Sequence, residues 1–138
     1  MKTWGTILFV KPQAKQSTRF AGHAYTEPAK RRYSAQLRGM LLSRDLPEPF
    51  RGPVAVSLRF VFPCKRNPGW HSAKPDIDNC AKPVLDAMRG VLFADDCAVV
   101  KLHAEKVSWR GEGCIVVRVS EAGRPPKPDA DFDFEKNC

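Results

Sequence analysis

Val54, Val56, Leu58, Phe60 and Phe62 occupy every second position of one short run, and this alternation limits the possible folds more than any other feature of the chain. Successive side chains of a strand point to opposite faces, so the five residues form one apolar face that another layer must cover. The next regular pattern can supply that cover. Ile77, Ala81, Val84, Leu85 and Met88 recur at helical spacing, with Asp78, Asn79, Lys82, Asp86 and Arg89 on the opposite side. A second amphipathic pattern runs from Glu27 to Ser43, with Ala29, Tyr33, Leu37, Met40 and Leu41 inward and Lys30, Arg31, Arg32 and Arg38 outward.

Thr3 to Val10 reads as a first strand, and Lys11 to Arg19 as a basic loop interrupted by Pro12. Residues 63–75 are rich in Pro, Gly, Lys and Arg and form the loop that delivers the chain to Asp76. Pro83 sits awkwardly inside a helix, so the regular helix is expected to start between Asn79 and Lys82, with Gly90 as its stop. Cys97 to Trp109 and Gly113 to Ser120 read as two strands of a hairpin. The expected fold is a single small α/β (α+β) domain over residues 1–120, a mixed sheet covered by two helices. Residues 121–138, dominated by proline and charge, are expected to be a disordered acidic tail.

The charge is distributed unevenly. Lys+Arg 23 against Asp+Glu 15 gives a formal charge of +8, which favours a polyanionic partner. Fourteen basic residues against Glu27, Asp45 and Glu48 put residues 1–75 at +11, and residues 76–138, with nine basic and twelve acidic residues, stand at −3. A basic half followed by an aspartate-rich half suits a protein that must hold both phosphate and a cation. The five cysteines are widely spaced with no C-x-x-C pair, which argues against a zinc ribbon or a disulfide framework. No signal peptide and no apolar run of membrane-spanning length is present, so a soluble cytoplasmic protein with no membrane partner is expected.

The segment KPDIDNCAKPVLDAMRGVLFADD, residues 74–96, carries the chemistry. On extended backbone, Asp76 and Asp78 point the same way with Cα atoms about 7 Å apart, and both can reach one cation. Asp95-Asp96, beyond the helix, can return a third carboxylate. Two unit charges 4 Å apart repel by about 4 kcal/mol at an effective dielectric near 20, a cost that a divalent cation reverses. Oxygen-only ligands with open positions favour Mg²⁺ or Mn²⁺ over Zn²⁺. Lys82 lies one helical turn after Asp78 and can offset charge on a pentacovalent phosphorus, and Asn79 can orient a ligand or cap the helix. An EF-hand would need Asp or Asn at position 80 and Gly at 81, where this chain has Cys80 and Ala81.

Asp76-Ile77-Asp78-Asn79, Lys82 and Leu85-Asp86-Ala87, followed by Asp95-Asp96 and a hydrophobic strand containing Lys106, together resemble the RusA-type Holliday-junction resolvases of bacteria and their phages. The N-terminal KPQAKQSTRF and HAYTEPAKRRY look like the basic pattern of that family, so the resemblance runs from about residue 4 to 119 and is strongest from 74 to 109. It implies a homodimeric, Mg²⁺-dependent endonuclease, with Mn²⁺ able to substitute, that nicks branched DNA symmetrically at four-way junctions. Asp76, Asp78 and Asp96 match the metal-binding aspartates of the family, and Lys82 matches its essential lysine. Some members carry an arginine run before the first aspartate, where this chain has Lys74-Pro75.

Asp86, inside the helix, is expected to pair with Lys82 or Arg89, whereas Asp95 is open between ligand and structural roles. His71 and His103 are expected to be surface or satisfied core residues. Lys11, Lys15, Arg19, Lys30, Arg31, Arg32 and Lys74 are the candidate phosphate contacts, against ordinary solubility charge. Trp70 is expected to anchor its loop rather than stack on a base. Cys80 and Cys97 are expected to be small buried apolar residues. The rival function is a non-catalytic DNA-binding protein of the same fold. A pure binder gains nothing from carboxylates beside phosphate. RNA is a weaker alternative substrate.

Overall fold

The computed structural model describes residues 1–14, 19–20, 24–25 and 28–128. Its main layer is a five-stranded mixed sheet in the order β1-β7-β4-β6-β5, built from β1 (Thr3–Leu8), β4 (Val54–Pro63), β5 (Gly69–Trp70), β6 (Val99–Trp109) and β7 (Cys114–Glu121). β2 (Arg19–Phe20) and β3 (Ala24–Tyr25) form a separate two-stranded ribbon. The helices α1 (Pro28–Leu42) and α2 (Ile77–Met88) pack against each other. Their apolar sides share one core with the inward face of the sheet. The expected mixed sheet with two helices is what forms.

The alternation of β4 sets the inward face as anticipated: Val54, Val56, Leu58, Phe60 and Phe62 are buried, joined by Ile115, Val117 and Val119 of β7. Tyr33, Leu37 and Leu41 enter this core from α1 and Cys80, Ala81, Val84 and Met88 from α2. β4 runs parallel to β6 and antiparallel to β7. Parallel neighbours need a crossover, and α2 provides it.

β6 and β7 are therefore not the expected hairpin: although a short loop joins them, β4 lies between them. Alternation fixes which face a side chain takes, and says nothing about which strand lies alongside. The connecting loop passes the end of β4, where the Cys64 amide donates to the Trp109 carbonyl at 2.9 Å. At the crossing a Cβ on Gly113 would stand 3.0 Å from the Lys11 Cα and 3.2 Å from both Pro63 Cδ and the Val61 carbonyl oxygen. Glycine allows this close approach.

α2 begins at Ile77, earlier than expected, and keeps Pro83 in its interior. The missing amide costs one helical bond, but the buried face of Cys80, Ala81, Pro83, Val84, Ala87 and Met88 holds the helix through tertiary packing. Gly90, at φ 79, ends it as expected. β6 starts at Val99 rather than Cys97, because Asp96–Ala98 closes a 3-10 turn, and Cys97 is exposed rather than buried. β7 extends one residue past the expected domain end, to Glu121, and residues 122–128 have no regular structure. The rest of the expected tail, 129–138, lies outside the described residues. None of the described helices is long and apolar enough to cross a membrane.

Candidate active site

The core strand β4 and the crossover helix α2 are joined by the loop that ends at Asp76, so the fold brings the Asp-x-Asp pair to the N-terminal end of α2. Asp76 is the N-cap residue, with extended backbone (φ −65, ψ 146), but its side chain makes no capping hydrogen bond. Asp78 lies in the first turn. Both carboxylates are exposed, and neither takes part in a hydrogen bond or ion pair among the described residues. Negative charge is favourable at this end of a helix, which lowers the cost of keeping two unpaired carboxylates together.

Asp96 occupies a different environment. Its Oδ2 accepts from Lys82 Nζ at 2.8 Å and from Arg89 Nη1 at 3.3 Å. Its Oδ1 is buried and has no hydrogen-bond partner. Lys82 also reaches Asp86 at 2.9 Å, and Arg89 approaches the same carboxylate at 3.7 Å. Hydrogen bonds to Asp96 and then Asp86 raise the Lys82 pKa above its ordinary value, overcoming the opposing effect of burial. Asp86 thus has the structural pairing expected of it. Asp95 turns away: its Oδ1 accepts from the Asp96 amide at 2.7 Å and caps the 3-10 turn.

The sequence-predicted aspartates are thus placed in two groups, Asp76 with Asp78 at the helix start and Asp96 alongside Lys82 one turn further on. Among the described residues, no three His, Cys, Asp or Glu side chains stand close enough to hold a metal ion. The donor chemistry nonetheless suits a hard divalent cation. Among the described residues, Asp76 and Asp78 have no side-chain hydrogen-bond or ion-pair partner, and the buried Asp96 Oδ1 is a polar atom without one. Asn79 is exposed on the first turn of α2.

Two residues given little weight in the sequence shape the approach to Asp76. The His71 ring stacks on Phe62 at a centroid distance of 4.0 Å and an angle of 11°. Its Nε2 lies 3.1 Å from the Lys74 carbonyl, an acceptor only, so Nε2 carries the proton and Nδ1 accepts from Ser108 Oγ at 2.9 Å. Lys106 Nζ donates to the carbonyls of Ala73 at 2.9 Å and Pro75 at 2.7 Å. His71, not Trp70, anchors the loop; Trp70 is 74% exposed. The signals available in the sequence were an inward position for Lys106 on β6 and a ring beside the strand end.

Behind the aspartates, the Cys80 thiol is pushed up, first by burial and further by Asp76 and Asp78, with Lys106 opposing, so it stays protonated. Burial also raises the Tyr33 hydroxyl pKa, and Tyr33 Oη accepts from the Gln13 amide at 3.1 Å, bringing the segment after Lys11 beside α1. Lys11, Arg31, Arg32 and Lys74 are exposed. Lys15 lies outside the described residues, as do the side chains of Arg19 and Lys30. His103 is exposed on β6 and bonds Glu105 at 2.9 Å, away from the aspartates.

The uncharacterized protein YqaN of Bacillus subtilis (strain 168) is 28% identical over 95 residues, covering 58% of this chain and 67% of that protein. Residues 9–120 match the family described as Endodeoxyribonuclease RusA, a span that leaves out β1 and the last residue of β7 but includes the rest of the sheet, both helices and all four of Asp76, Asp78, Lys82 and Asp96. The chain belongs to the RusA endodeoxyribonuclease family.

Proposed function

We propose that this protein is a structure-selective endodeoxyribonuclease that resolves four-way DNA junctions during recombination and repair. The observation that carries the reading is the Asp76 and Asp78 pair at the start of α2, without hydrogen-bond or ion-pair partners among the described residues, within a chain of the RusA family. Asp76, Asp78 and Asp96 are the residues that would hold Mg²⁺, or Mn²⁺ in its place. Such an ion supplies charge stabilisation at the scissile phosphate and lowers the pKa of a coordinated water.

The protein's own groups have separable tasks. Lys82, whose pKa is raised, remains an ammonium at neutral pH and therefore acts as a fixed positive charge and not as a general base. It can turn from Asp96 towards charge that develops on a phosphorus in transit. The buried, protonated Cys80 is not a nucleophile. Lys11, Lys15, Arg19, Lys30, Arg31, Arg32 and Lys74 would contact phosphates along the arms of the junction.

A four-way junction has near two-fold symmetry, and two coordinated nicks call for two copies of the site, so the active form is proposed to be a homodimer. The cytoplasm is its proposed location, where junction DNA is found. Cleavage of a synthetic four-way junction and of linear duplex with the same sequence, in Mg²⁺ or in EDTA, tests the function. Paired nicks confined to the junction and lost in EDTA are expected. A junction that is bound but never cut with any divalent metal would instead establish the DNA-binding protein.

A further inference from the structure

We propose that Lys106 and His71 form a positioning clamp on the backbone of residues 73–75, and that this clamp sets the metal affinity of the site by fixing where Asp76 emerges. The inference rests on the metal-site reading given above. Three consecutive carbonyls immediately before Asp76 each accept a hydrogen bond from a side chain: Ala73 from Lys106, Lys74 from His71, and Pro75 from Lys106 again.

The clamp is tied to the most rigid part of the molecule. Lys106 sits on β6 opposite the fully buried Phe60, and β6 is paired along its length with the central strand β4. His71 is held from three sides, by the Phe62 ring, by Ser108 of β6 and by its own amide, which donates to the Lys106 carbonyl at 3.0 Å. Among the described residues, the Lys106 ammonium gives its hydrogen bonds to this loop and none to a carboxylate. A half-buried lysine without an acidic partner is costly unless its bonds are used for something else. Here they fix the segment that presents Asp76. Outer partners of this kind orient a ligand without touching the ion, and their loss commonly weakens metal binding ~10–100-fold.

The test measures Mn²⁺ binding to the full-length protein without DNA, from the free-ion electron paramagnetic resonance signal, for wild type, Lys106→Met, Lys106→Arg and His71→Asn. The dissociation constant is expected to rise at least ~10-fold in Lys106→Met and less in His71→Asn, which loses one carbonyl contact where Lys106→Met loses two. Lys106→Arg, which keeps a donor fork and the charge, should recover most of the affinity. Junction binding in EDTA should be unchanged in all three, while amide hydrogen exchange at residues 73–80 speeds up in the weak binders. Wild-type affinity in Lys106→Met would overturn the clamp and leave the metal site standing. No Mn²⁺ binding by wild type would overturn both. If Lys106→Met fails to fold, His71→Asn decides the matter, and unchanged affinity there rejects the clamp.

Discussion

Asp96 places its two carboxylate oxygens in opposite circumstances, one shared by Lys82 and Arg89 and the other buried without a partner. Lys82 in turn bridges Asp96 and Asp86. Its raised pKa means that these pairs stabilise the fold fully below the ordinary lysine value of 10.5 and are lost as pH rises through the higher folded value. Because the side chains are 30–39% exposed, the contribution is at most about 1 kcal/mol. Lys82→Met should lower the melting temperature by a few degrees, with a difference that is constant from about pH 6 to 9 and shrinks in more alkaline buffer. A difference that vanished between about pH 7 and 9 would contradict this account of Lys82. At this scale the sequence exposed the Asp-x-Asp pair and Lys82, because their chemistry shows in residue type and spacing. It could not separate Asp95 from Asp96, since the choice depends on which amide closes the 3-10 turn, nor show that His71 and Lys106, far apart in the chain, both act on the backbone carbonyls of residues 73–75.

Among the elements, α2 carries the site and α1 carries the exposed Arg31 and Arg32. Each arginine that neutralises a DNA phosphate releases condensed counterions, so replacing both with Ala should reduce the slope of log affinity against log salt by about 0.9 per contact. Fluorescence anisotropy of a labelled junction across a salt series measures it, and an unchanged slope would remove α1 from the interface. The amphipathic periods of α1 and α2 and the alternation of β4 were legible, since each element must bury one side. The order of the strands was not, because β6 and β7 are joined by a short loop yet separated by β4. The start of α2 differs from the expected one for a related reason: Pro83 has a local cost, but its five buried neighbours along the helix outweigh it.

At the level of the molecule, the described residues cover the sheet on one face only. The other face presents Trp70, Trp109, Val61, Val107 and Val116 around Arg59, whose guanidinium pairs with Glu105 at 2.8 Å. His103 and Arg59 hold the Glu105 carboxyl below the usual carboxylate range. A face that is apolar at its centre and carries both signs of charge suits a second copy of the same chain, because an isologous contact must complement itself. Trp109→Arg should therefore shift the protein towards monomer in sedimentation velocity, and an unchanged distribution would exclude this face as the dimer contact.

The central claim is that Asp76 belongs to the cutting machinery and not to the framework. Asp76→Asn removes one negative charge from the proposed phosphate-binding site without removing a hydrogen bond seen in the fold. Junction cleavage in Mg²⁺ and junction binding in EDTA, measured side by side for wild type and this variant, separate the two roles. Loss of cleavage with binding equal to or tighter than wild type is the predicted result, and cleavage at the wild-type rate would contradict the assignment of the site.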